Sequence, residues 1–135
     1  YGDGNQKRCF SDIEDCIRCM DKLMFDPDIK SEIVNIGPDE EFISINELYS
    51  LISNKLHFNK GPVYDTERPN EVTEAFCSSN KARKILSYKT EINLSDSLDK
   101  MITYIKVHGP KKFQYNYDIE IKSKLTPKTW SKKLF

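Results

Sequence analysis

Two arginines in this chain sit in settings suited to holding a phosphate. Arg8 comes four residues after the turn-forming Gly2-Asp3-Gly4 and just before an aromatic residue and a helix start, which sets its guanidinium beside a flexible backbone corner. Arg68 is followed by Pro69, which biases it toward an extended conformation and stops the segment from continuing as a paired strand. It is therefore presented from a rigid loop. Taken alone, an arginine in Glu67-Arg68-Pro69-Asn70-Glu71 reads as a solvated side chain paired with Glu67 or Glu71, the commoner use of such a residue.

The other chemistry-bearing residues point to less. Cys16-Ile17-Arg18-Cys19 has the two-residue spacing of a zinc or redox motif, but it lies inside a helical pattern, no second pair exists, and His57 and His108 are remote in sequence. Cys9, Cys16, Cys19 and Cys77 read as small core-facing thiols, and a zinc domain built on them is a minor alternative. No metal ligand and no catalytic residue is assigned.

Charge narrows the partners. Twenty-one basic and 21 acidic side chains cancel, so no global field favours nucleic acid or an anionic membrane, and an anion must be bound locally. The 135 residues, 38% of them hydrophobic, fit one core. No apolar run approaches the ~18 residues that span a bilayer, and no signal-peptide pattern opens the chain. Few, clustered cysteines suit a reducing cytoplasm. The chain opens at Tyr1 in a turn and without a methionine, which reads as a piece of something longer.

Four helices and a few short strands are expected to position these residues. Ser11-Asp12-Ile13-Glu14 has the form of a capping box, and Ile13, Cys16, Ile17, Met20, Leu23 and Met24 then form a stripe expected in the core, ending near Phe25. Glu32–Ile36 alternates and reads as a strand closed by Gly37-Pro38, and Phe42–Ser44 as a second short extended segment. Ser44-Ile45-Asn46-Glu47 repeats the capping box ahead of a helix through Leu56, and Val63–Thr66 reads as another strand. Ser78-Ser79-Asn80 precedes a compact helix with Ala82, Ile85 and Leu86 inward. Asn93 caps a last helix ending at His108-Gly109-Pro110, with Leu94, Leu98, Met101, Ile102 and Ile105 on one stripe. From Lys111 the chain turns basic and aromatic, and Tyr115, Tyr117, Ile119 and Ile121 alternate as in an edge strand or an extended arm.

Four motifs in order carry a resemblance: Tyr1-Gly2-Asp3-Gly4-x-Gln6-x-Arg8-x-Phe10, Asn35-Ile36-Gly37, Arg68-Pro69-x-Glu71-Val72, and Lys81-Ala82-x-x-x-Leu86-x-Tyr88. Together they resemble the C-terminal, substrate-binding part of the extended short-chain dehydrogenases/reductases, the NAD-dependent nucleotide-sugar epimerases and dehydratases of the UDP-glucose 4-epimerase kind. The resemblance runs from residue 1 to about residue 107, and the ending from Lys111 is similar to tails in some epimerase-like members. It implies an α/β fold of about four helices with short strands and without the Rossmann domain. Residues 1–110 would be the nucleotide-sugar region and residues 111–135 a basic aromatic arm. The implied partners are a UDP-sugar or other nucleoside-diphosphate sugar and the missing N-terminal Rossmann domain.

Carried over residue by residue, Arg8 and Arg68 would grip the diphosphate from two sides and Glu71 would accept from ribose hydroxyls. Tyr1 and Gly2 would lie near the nucleobase, with Gln6 a weaker candidate. Planar guanidinium forks on two separate loops suit a diphosphate, because each can bind it bidentately and so fix position as well as charge. The family's NAD-binding Gly-rich turn and its Tyr-x-x-x-Lys pair are absent from this sequence, so NAD belongs to the presumed parent and the chain is not expected to catalyse alone.

The chain departs from the family at Cys9, at Asn80 where an aspartate is usual, and at Ser87 where glycine is usual; Ser87 would need a positive φ. A different class of reading, a noncatalytic module binding a partner through the basic aromatic arm, predicts that residues 111–135 are needed for association and that Arg8 and Arg68 are not.

Overall fold

The computed structural model describes residues 1–112, 114–119 and 123–133. Its elements, in chain order, are β1 (Lys7–Arg8), α1 (Ile13–Phe25), β2 (Ile43–Ser44), α2 (Ile45–Leu56), β3 (Glu74–Ala75), α3 (Asn80–Leu86), α4 (Leu94–His108) and α5 (Lys128–Ser131). The strands form one small sheet in the order β2-β1-β3, antiparallel between β1 and β2 and parallel between β1 and β3. Arg8 thus sits on the central strand, opposite Ile43 on one side and Ala75 on the other. Neither β1 nor β3 is expected from periodicity, because two residues are too short to show one.

Helix caps explain most boundaries. Ser44 begins α2 with both arms of the capping box formed, its hydroxyl accepting from the Glu47 N–H at 3.1 Å and the Glu47 carboxylate accepting from the Ser44 N–H at 2.6 Å. Asn93 caps α4 by accepting from the Asp96 N–H at 2.9 Å. At α1 the cap is Asp12 rather than Ser11. Its carboxylate accepts from the Glu14 N–H at 2.9 Å and from the Ser97 hydroxyl at 2.5 Å, so it ties the helix start to α4. Glu14, free of a box, pairs with Lys100 at 2.7 Å. Ser87 ends α3 at φ +53°, the left-handed conformation expected where the family has glycine.

The core forms around Cys19, Ala82, Leu86 and Tyr88, with Leu23, Ile29, Val34, Ile36 and Ile85 packed on it. This corrects the expected face of α1. The residues turned inward are Asp15, Cys19 and Leu23, whereas Ile13, Ile17, Met20 and Met24 are exposed, roughly 120° around the helix. The cause is Asp15. Its buried carboxylate accepts the Glu91 and Ile92 N–H groups at 3.2 and 3.3 Å and pairs with Arg18, which pins this side of α1 against the segment after α3. On α4, Leu98 is buried, but Met101 and Ile105 are exposed, so that stripe is only partly core.

Two expected strands do not form. In Glu32–Ile36, Val34 and Ile36 face the core while Ile33 is exposed, so the alternation reflects one-sided burial of a segment with no ladder partner. Val63–Thr66 makes isolated contacts instead of a ladder, among them the Asp65 carbonyl accepting from the Gly2 N–H at 2.9 Å. Residues 115–119 are not a strand either, and Ile121 lies outside the described residues. The fifth helix, α5, is not expected from the sequence pattern.

The turn carrying Asn35-Ile36-Gly37 is locked to α3, which joins two of the four motifs. The Ser79 hydroxyl donates to the Gly37 carbonyl, the Ser79 N–H donates to Asp39 at 2.8 Å, and Arg83 pairs with Asp39 and Glu40. The Arg83 guanidinium first, then the Ser79 N–H, holds the Asp39 carboxyl far below its ordinary 3.8. A depressed folded-state value stabilises the fold fully above the unfolded value and loses that contribution as pH falls below it. Wild type should therefore be more stable than Asp39→Asn near neutrality. In acid-unfolding curves that gap should close as pH drops below about 4. A gap as wide at about pH 2 as at about pH 6 would contradict the pairing.

Candidate functional site

All six residues singled out from the sequence line two adjoining cavities. The first, about 330 Å³, is bounded by Tyr1, Gln6, Arg8, Ile45, Arg68 and Glu71. The second, about 370 Å³, shares Tyr1, Gln6 and Glu71 and adds Gly2, Asp3, Asn5, Glu67 and Thr73. The residues come from the N-terminal turn, β1, the start of α2, and the loop leading to β3.

The Tyr1–Gln6 turn is shaped by Gly2 at φ +68° and Gly4 at φ +76°, both in the left-handed region that favours glycine. Space is as decisive as φ at Gly4, because a Cβ there would come within 2.2 Å of the Asn46 Oδ1. Asn46 is the residue that sequence reasoning missed. Its Nδ2 donates to the Asp3 carbonyl at 2.9 Å and to Asn5 Oδ1 at 3.2 Å. Its N–H donates to the Gly4 carbonyl at 3.0 Å, and its Oδ1 accepts from the Tyr64 hydroxyl at 2.9 Å. The capping box around it was legible, but this role depends on contacts more than forty residues away in the chain.

Arg8, Arg68 and Glu71 meet at the boundary between the cavities. Arg8 donates to Glu71 Oε1 at 2.7 Å and to its neighbour's carbonyl, that of Lys7, at 2.7 Å. Arg68 approaches Glu71 Oε2 to 3.9 Å, and its guanidinium carbon stands 4.3 Å from the centroid of the Tyr1 ring. The turn between them is closed by the Glu71 N–H donating to the Arg68 carbonyl at 3.2 Å, with Asn70 at φ +59°. The loop ion pair that the isolated residues suggest thus exists, and its carboxylate also holds Arg8. Gln6 donates to the Tyr1 carbonyl at 3.2 Å.

The two cavities differ in chemistry. In the first, two guanidiniums face one carboxylate, which leaves an excess positive charge and unused N–H donors on each fork. The second is lined by the carboxylates of Asp3, Glu67 and Glu71 with the amides of Asn5 and Gln6, a surface that accepts hydrogen bonds from hydroxyl and N–H groups. The Asn5 N–H and side-chain amide hold Asp3 below its ordinary value, keeping it an acceptor. One cavity therefore suits an anion, and its neighbour suits a donor-rich group. A larger cavity of about 650 Å³ lies elsewhere, between Pro38 and Asn93, but Glu40, Glu41 and Glu91 face Arg83 and Lys89 there, and Arg83 is already paired. It is unsuited to an anion.

Residues of the C-terminal arm reach the same place. The Thr129 N–H donates to the Tyr1 hydroxyl at 2.9 Å, and Lys128 pairs with Asp65 at 2.9 Å. Cys9, Cys16, Cys19 and Cys77 are all free thiols, and no group of three or more potential metal ligands occurs among the described residues. No helix among them is long and apolar enough to cross a membrane.

No protein-family model matches the chain. It is 33% identical over 106 residues to a Methanocaldococcus jannaschii protein assigned as a UDP-glucose 4-epimerase, covering 78% of this chain and 33% of that protein. It is 26% identical over 106 residues to the UDP-glucuronate 4-epimerase of Thermodesulfobacterium geofontis, covering 78% of this chain and 32% of that one. Among solved structures, the UDP-glucuronic acid 4-epimerase of Bacillus cereus, in complex with UDP-glucuronic acid and NAD, superposes with a TM-score of 0.72 at 30% identity, covering 79% of this chain and 34% of that chain. The chain spans about a third of the length of the curated relatives it matches. The matches are to the C-terminal part of UDP-sugar epimerases.

Proposed function

Because the chain belongs to the extended short-chain dehydrogenase/reductase family, as a portion about a third the length of its relatives, we propose that it forms the nucleotide-sugar-binding wall of an NAD-dependent UDP-sugar epimerase or dehydratase. In this reading the diphosphate occupies the cavity of Arg8 and Arg68, and the nucleoside occupies the neighbouring cavity of Tyr1, Gly2, Gln6 and Glu71. The observation that carries it is the convergence of Arg8 and Arg68, from segments sixty residues apart, on the single carboxylate of Glu71. Glu71 holds the forks in place for an anion, and it also lines the neighbouring cavity, where in this reading ribose hydroxyls would donate to it.

The chain's own residues do not fit NAD. The sequence has no Gly-x-x-Gly-x-x-Gly turn, and none of its seven tyrosines has a lysine four residues on. Cofactor and proton transfer accordingly belong to the Rossmann portion of the parent. The apolar face of α1 at Ile13, Ile17, Met20 and Met24 is the surface we assign to contact with that portion, in keeping with the rarity of such uncovered stripes on independent domains.

Calorimetric titration with UDP, uridine and pyrophosphate tests the reading. UDP should bind more tightly than either fragment. Arg68→Ala should weaken UDP by about tenfold, the value of one charge-assisted contact at a half-exposed position, and leave uridine unaffected. Equal binding of UDP with and without Arg68, in the protein expressed from its complete reading frame, would remove Arg68 from the site.

A further inference from the structure

Three segments meet behind the cationic cavity, and one of them is the C-terminal arm. Tyr1 carries two interactions besides its place in the cavity wall. Its ring lies under the Arg68 guanidinium at 4.3 Å, and its hydroxyl is held by α5, donating to Thr129 Oγ1 at 3.1 Å and accepting from the Thr129 N–H at 2.9 Å. The neighbouring residue of α5, Lys128, donates to Asp65 Oδ1 at 2.9 Å and Thr66 Oγ1 at 3.2 Å. Asp65 in turn accepts the Gly2 N–H on its carbonyl at 2.9 Å. Lys128 first, then the Thr66 N–H, holds the Asp65 carboxyl below its ordinary value. One turn of helix therefore grips two segments of the wall: the Tyr1–Gly2 corner through Thr129 and the Asp65–Thr66 segment through Lys128. The Tyr115 hydroxyl reaches the Thr129 carbonyl from the earlier part of the arm at 3.4 Å.

We infer that α5 is a strap that sets the position of Arg68, with Lys128 and Thr129 as positioning residues that do not touch the ligand. A guanidinium on a half-exposed loop binds a phosphate more tightly when its position is fixed before the ligand arrives, because less ordering entropy is then lost. The Tyr1 ring supplies a floor for Arg68, and the strap fixes the floor. The structural part of this inference is independent of the ligand, whereas its consequence for affinity rests on the nucleotide-sugar reading.

Amide hydrogen exchange tests the structural part. In the double variant Lys128→Met/Thr129→Val, the Gly2 and Glu71 amides, bonded to Asp65 and Arg68, should exchange about tenfold faster than in wild type, the loss of one to two hydrogen bonds. Amides of α3, which packs in the core, should be unchanged, and Lys128→Arg/Thr129→Ser should restore protection. If the double variant unfolds α3, the single variant Lys128→Met carries the same prediction at Gly2. Unchanged exchange at Gly2 and Glu71 in a folded variant overturns the strap. UDP titration then separates the two readings. The strap variant should bind UDP about fivefold more weakly, with a smaller loss in an Arg68→Ala background, where only the Tyr1–Gly2 wall is left for it to act on. An equal loss in both backgrounds would show that α5 does not act through Arg68. Failure of wild type to bind UDP would overturn the nucleotide assignment while leaving the exchange result to decide the strap.

Discussion

Arg8→Ala is expected to weaken UDP binding on the order of 100-fold, a loss of about 2.7 kcal/mol. The reason is position and bookkeeping of charge. Arg8 is on the central strand of the sheet, and its side chain is 26% exposed against 45% for Arg68, so its field is less screened by solvent. Removing it leaves Arg68 and Glu71 to cancel each other, and the cavity loses its positive excess. It also leaves Glu71, whose side chain is 18% exposed, without its 2.7 Å partner, and that carboxylate then repels the incoming diphosphate. Arg8→Lys should fall between the two, since it restores charge but not the planar fork. Calorimetry on all three proteins checks this. Affinity within about twofold of wild type in Arg8→Ala would mean that the diphosphate lies elsewhere.

Gly4→Ala is expected to destabilise the fold by about 3 kcal/mol and to abolish ordered binding at Tyr1–Gln6. Two costs combine. A side chain at φ +76° costs about 1–2 kcal/mol. The new Cβ would also collide with Asn46, whose Oδ1 would lie at 2.2 Å. The end of an asparagine side chain could normally move aside, but this one is held by Asp3, Asn5 and Tyr64, and each hydrogen bond lost adds about 1 kcal/mol. Adding Asn46→Ala should therefore cost less in the Gly4→Ala background than in wild type, because the clash and its contacts are already gone. Denaturant unfolding of the four proteins measures this coupling. Strict additivity would mean that Gly4 and Asn46 do not meet.

Most caps and short local signals were legible because a side chain there reaches its own backbone, although at α1 the cap is Asp12 and not the expected Ser11. The Ser44–Glu47 box, the Asn93 cap and the left-handed Ser87 all depend on neighbours within a few residues. The inward face of α3 at Ala82, Ile85 and Leu86 was also legible, but the inward face of α1 was not. The stripe of Ile13, Ile17, Met20 and Met24 is as good a helical pattern as any in the chain, yet α1 is oriented by one buried carboxylate, Asp15, whose backbone partners lie beyond position 90. Alternation in Glu32–Ile36 reported burial correctly at Val34 and Ile36, but burial does not require a strand.

The site divides the same way. The Arg68–Glu71 pair was legible locally, but Arg8 could be brought to it only through the resemblance to a family, since nothing in the local sequence says that a residue so far away shares that carboxylate. Asn46 and Thr129 act through contacts across the fold and carry no sequence signal of that role.

The central claim is that Arg8 and Arg68 grip one ligand together. Arginine side-chain N–H resonances, assigned with Arg8→Lys and Arg68→Lys and followed during a UDP titration, report on each guanidinium directly. Both sets should shift along one saturation curve with a common Kd, with those of Arg83, held by Asp39 and Glu40, standing still. Saturable UDP binding that leaves the Arg8 and Arg68 resonances unmoved would contradict the account.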